Sequence, residues 1–146
     1  MTILGTAELQ RLALRVLLPT EGDAPGADAL AAAAHRAYDD LARVTAPLIG
    51  HIGVAAITDR ALHLAQREYP WMARTQVPAP GEGPFDHFVT FLKRQDPVIA
   101  TAAAAAVFAT FIGMLVTFIG EPLTTGLLRK AWPDAFSDAN TRGRKT

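Results

Sequence analysis

From Pro97 to Gly120 the chain reads PVIATAAAAAVFATFIGMLVTFIG, 24 residues without a charge. Such a segment either crosses a bilayer or occupies the centre of a folded domain, and the choice constrains the rest of the chain. Length favours the bilayer, since about 20 apolar residues span roughly 30 Å of hydrocarbon as a helix. Composition opposes it. Only ten of the 24 residues are Leu, Ile, Val or Phe, worth about −3 to −6 kcal/mol in total on an insertion scale. The remainder is mostly Ala, Thr and Gly, which contribute little or resist insertion.

Periodicity within the segment adds a second constraint. Thr101, Ala105, Ala109, Gly113 and Thr117 recur every fourth residue and form a stripe of small side chains. Phe108, Phe111, Ile112, Leu115, Phe118 and Ile119 form a bulky face. A helix of this design has two different neighbours, and small stripes allow close backbone approach in membranes and soluble bundles alike. The other helices predicted below all carry apolar faces that need a partner. An all-round apolar helix at the centre of a bundle supplies it, and this is the reading we adopt over a membrane span.

Thr6 can cap a helix from Ala7 to about Leu18, stopped by Pro19. A second begins near Ala27 in an Ala-rich run with Leu30, Ala34, Tyr38, Leu41, Val44 and Leu48 at helical spacing. Pro47, Gly50 and Gly53 predict a bend or break before a third helix over Val54 to Tyr69. Residues 73–84 hold three prolines and two glycines and read as a mobile connection. Asp86 is placed to cap a short helix over 87–95, and Asp96-Pro97 is a strong helix start. After Gly120 the helix either continues through a kink at Pro122 or restarts, reaching about Trp132. No strand alternation, heptad or internal repeat is evident. The expected architecture is an all-α, single-domain bundle of five to six helices around 97–120, occupying residues 1–136, with a flexible basic tail over 137–146.

Composition narrows the function classes. Lys+Arg and Asp+Glu balance at 14 each, so no overall field draws in nucleic acid. The chain contains no cysteine, which removes thiolate metal sites and Cys nucleophiles. The start, MTILGTAELQ, lacks the features of a secretory signal, so a cytoplasmic location is expected. The one serine, Ser137, lies in the tail, and no phosphate-cradling glycine motif is present. The four histidines make no ligand pair with another His or with Glu at helical spacing. No catalytic, cofactor or metal site is therefore predicted.

Two groups of residues remain as candidates. Glu121 sits where the apolar segment ends, and Arg60 and His63 are partners that could complete a buried polar cluster with it. Tyr69, Trp71, Phe108, Phe111 and Trp132 are candidates for a partner or ligand surface. The expected function is a small non-enzymatic interaction or regulatory protein working through contacts with another protein or with its own copy. The alternatives are a single-pass membrane protein spanning at 97–120 and a bundle enclosing an apolar ligand.

Overall fold

The computed structural model describes residues 6–18, 26–71, 83–133 and 135. The connection over 73–84 falls almost entirely outside the described residues, as does the tail. Five helices account for the fold: α1 (Thr6–Leu17), α2 (Ala27–Ala65), α3 (Pro84–Leu92), α4 (Pro97–Ile119) and α5 (Glu121–Ala131), with no strand among the described residues. The all-α bundle is as expected.

Local signals set most of the boundaries. The Asp96 carboxylate accepts the Val98 N–H at 3.1 Å and caps α4, satisfying a donor that would otherwise have no intrahelical partner. Asp86 acts differently from expectation. Because proline suits the first helical turn, α3 begins at Pro84, and Asp86 reaches back to accept the Gly83 N–H at 3.1 Å. Of the two options after Gly120, the chain takes the restart, with Pro122 in the first turn of α5.

α2 is bent sharply at Gly50, whose backbone (φ 82°, ψ 160°) is non-helical. The bend makes α2 two arms, over 27–49 and 51–65. In a straight helix Tyr38 and Thr58 would stand about 30 Å apart, yet their hydroxyls are hydrogen-bonded at 2.7 Å. The second arm therefore folds back along the first. Gly120 (φ 91°, ψ 157°) does the same between α4 and α5. Trp132 lies as far beyond Gly120 as Phe108 lies before it, and their rings meet edge-on at 5.8 Å.

The two hairpins are copies of one pattern, and this corrects the expectation that the chain has no repeat. Ala27 and Pro97, which start the long helices, are 70 residues apart, as are Gly50 and Gly120. At that offset, Leu30 and Ala100, Ala37 and Val107, Leu41 and Phe111, Ile57 and Leu127, and Ala61 and Ala131 are all buried pairs. The short helices are exchanged between the halves: α1 packs chiefly on α4, and α3 on α2. The repeat is faint in sequence because the matched residues conserve burial rather than identity. The shared letters are alanines and the Ile-Gly pairs at 49–50 and 119–120.

The small stripe of α4 receives α1. A Cβ at Gly113 would lie 3.9 Å from Leu9 Cδ1, so α1 rests directly on α4 there. The centre of the molecule is aromatic. Phe85 stacks on Tyr38 at 4.1 Å, Phe111 meets Tyr38 edge-on at 6.3 Å, and Phe108 lies 5.6 Å from Phe85. The buried Thr45 and Thr58 hydroxyls are satisfied locally, donating to the carbonyls of Leu41 and Val54 at 2.7 and 2.8 Å.

Candidate functional site

The expected surface divides in two. Phe108 and Phe111 are 2% exposed and Trp132 is 5% exposed, so these three are core and not a docking surface. Trp132 donates its indole N–H to the Ala37 carbonyl at 3.1 Å, tying the end of α5 to the first arm of α2. The physical reason is the fold-back at Gly120, which brings α5 over the aromatic face that a single straight helix would have left open. Tyr69 and Trp71 remain half-buried, with rings edge-on at 6.3 Å. Trp71 Nε1 is buried and has no hydrogen-bond partner among the described residues.

The polar cluster also takes another form. Arg60 and His63 are exposed on the second arm of α2, and Glu121 is half-buried in the first turn of α5. A buried Arg60–His63–Glu121 cluster is not formed, because the helix ends at Gly120 and the stripe that would have carried Glu121 inward stops with it.

A different polar junction is present. His35 lies 3.2 Å from Asp39 along α2 and 3.0 Å from Asp86 at the start of α3, with all three side chains about half exposed. It fastens α3 to α2. Behind it, the Thr58 hydroxyl, which bonds the Val54 carbonyl, shares a 2.7 Å hydrogen bond with the Tyr38 hydroxyl. Burial raises the Tyr38 pKa, the Thr58 bond opposes the rise, and the carboxylates of Asp86 and Asp39 add to it. Between the arms of α2 lies an open groove of about 710 Å³, lined by Tyr38, Arg43, Pro47, His51 and Ala55 among others.

A second groove, of about 390 Å³, is more apolar and brings Leu14, Leu18 and Tyr69 together with Pro97, Val98 and Thr101. It also fixes the relative direction of the hairpins. Tyr69 follows the returning arm of α2, so it marks the end of the bundle away from Gly50. Pro97 starts α4 at that same end, and α4 runs alongside the first arm of α2, as the Tyr38–Phe111 contact shows. Gly50 and Gly120 therefore both lie at the opposite end.

That end carries most of the large exposed hydrophobic side chains among the described residues. Among the described residues the large exposed hydrophobics are Leu48 (46%), Ile52 (88%), Val98, Ile99, Phe118 (67%) and Leu123 (48%). Four of the six lie within three positions of Gly50 or Gly120, and Leu48 and Phe118 occupy equivalent positions of the two halves. From sequence Leu48 reads only as part of the apolar face of the second helix, and Ile52 and Leu123 are not singled out. The signal that marks them is the pair of Ile-Gly dipeptides at a 70-residue spacing.

No family model, curated protein or solved structure matches this chain. The functional reading therefore rests on the chain's own geometry.

Proposed function

We propose that this is a small non-enzymatic interaction protein whose working surface is the end of the bundle where the two hairpins turn. The observation that carries the reading is the concentration of exposed Leu48, Ile52, Phe118 and Leu123 beside Gly50 and Gly120. Exposed apolar patches of this kind cost solubility and mark contact surfaces. The ligand-enclosing alternative draws less support, since the Phe face of α4 is filled by Tyr38, Phe85 and Trp132. The single-pass alternative draws less support as well, because α1, α2 and α5 all pack on α4.

Site-specific photo-crosslinking tests the reading without presuming the partner. With p-benzoylphenylalanine at position 52 or 118, illumination of the producing cells is expected to yield adducts, whose masses distinguish a second copy, another protein or lipid. The same probe at position 36, on the exposed outer face of α2, is expected to yield none. Equal yields at all three positions, or none at the turns, would remove the proposal.

A further inference from the structure

We propose that the surface this end meets is a lipid bilayer, entered only to interfacial depth. The inference rests on the turn end being the working surface and names what that surface touches.

The charge pattern around the turns is the first support. From Val44 to Thr58 the only titratable residue is His51, and from Pro122 to Leu128 there is none. α4 is uncharged throughout, so Glu121 alone places an acid at the second turn. At about 1.5 Å per residue, Arg43, Asp59, Arg60, Arg129 and Lys130 stand about 10–15 Å back from the glycines. Interfacial elements bury their apolar face about 5–10 Å into the headgroup and acyl boundary. Apart from Glu121 beside Gly120, the depth over which the turns carry no Asp, Glu, Lys or Arg matches that layer.

The collar behind the turns is the second. Arg43, Arg60, Arg129 and Lys130 are all exposed, against Asp59 and the Asp40 that lies 3.3 Å from Arg43, while Glu121 stands at the turn and not in the collar. Their long stems let the basic groups reach phosphate oxygens while the turns sit below. The balance of the collar is basic although the chain as a whole is neutral.

Shape argues against a second copy as the occupant. Stable protein interfaces use about 20–30 residues a side, whereas this end offers four large exposed apolar side chains on two turns. Two points suit a fluid layer that closes around them. A bilayer also asks for no unfolding of the bundle, since the buried face of α4 keeps its partners while Leu48, Ile52, Phe118 and Leu123 enter.

The test is co-flotation of the full chain with phosphatidylcholine vesicles, with and without phosphatidylserine. Wild-type protein is expected to float, more strongly with phosphatidylserine. Ile52→Glu combined with Phe118→Glu is expected to lower the partition coefficient by about tenfold or more, while Val98→Glu at the opposite end leaves it unchanged. Circular dichroism melts establish that each variant is folded. Because the chain has no cysteine, Ile52→Cys and Phe118→Cys each accept a single nitroxide, and oxygen accessibility then reads its depth. Labels just below the phosphates support the proposal, and labels at the bilayer centre overturn it in favour of a span. Absence of flotation alongside protein adducts from positions 52 and 118 overturns the bilayer and leaves the working surface standing. Absence of both removes the two together.

Discussion

Gly50 and Gly120 adopt nearly the same backbone conformation, φ 82°, ψ 160° and φ 91°, ψ 157°, at equivalent positions of the two hairpins. This region of backbone space is essentially closed to side-chain-bearing residues, and holding one there costs about 1–3 kcal/mol. Nothing lies within 4 Å of a Cβ added at Gly50, so the cost at that site is conformational and not a clash.

Gly50→Ala and Gly120→Ala are each expected to lower stability by about 1–3 kcal/mol. Gly126, inside α5 with open space around it, is the matched control. Gly126→Ala is expected to raise stability by about 0.5–1 kcal/mol through helix propensity. Urea unfolding of the three variants checks the contrast, and equal effects at all three positions would contradict the role of the turns.

The α1–α4 contact makes a size-dependent prediction at Gly113. Alanine fits, because its Cβ would meet Leu9 at an ordinary 3.9 Å. A leucine at Gly113 would occupy the space where α1 lies. Gly113→Ala is expected to be neutral or stabilising, and Gly113→Leu to cost about 1–3 kcal/mol by overpacking. Amide hydrogen exchange should show the loss of protection concentrated in α1.

Trp132 separates packing from hydrogen bonding. Trp132→Phe removes the bond to the Ala37 carbonyl but retains a ring against Phe108, and is expected to cost about 0.5–1.5 kcal/mol. Trp132→Ala also empties the ring site and is expected to cost about 3–5 kcal/mol. A thermal or urea melt of both variants reads the difference.

Stability is expected to fall at alkaline pH. The folded-state pKa of Tyr38 lies above its ordinary value near 10, chiefly through burial. Above pH 10 the unfolded chain loses this proton while the folded chain retains it. The unfolded state then binds fewer protons, and unfolding becomes easier as pH rises. The contribution is fully present below about pH 10 and disappears as pH climbs through the raised folded value. Tyr69 shifts in the same direction through burial and the nearby Glu68 carboxylate. Tyr38→Phe should flatten this part of the profile. It should also cost about 0.5–1.5 kcal/mol at neutral pH through loss of the Thr58 bond. Urea midpoints measured from pH 8 to pH 11 test both statements.

Much of the fold is legible in the chain because its signals are local. Asp96 and Pro97 start α4 wherever it packs, and the uncharged run that follows makes it the natural centre of an all-α bundle. The small stripe of α4 announces a close neighbour, and α1 proves to be that neighbour. The site was less legible. Phe108 and Phe118 are the same residue type on the same apolar helix, yet one is 2% and the other 67% exposed. Nothing near either residue distinguishes them, because what covers Phe108 is Trp132 returning from beyond Gly120 and Phe85 from α3.

The sequence by itself determined the helical class, the central place of 97–120 and most helix limits, since capping, proline and hydropathy act within a few residues. Only the tertiary structure decided that Gly50 and Gly120 reverse the chain, that the short helices are exchanged between halves, and that both turns lie at one end. Each depends on contacts between residues tens of positions apart. A glycine permits a reversal, but packing across the hairpin is what selects it.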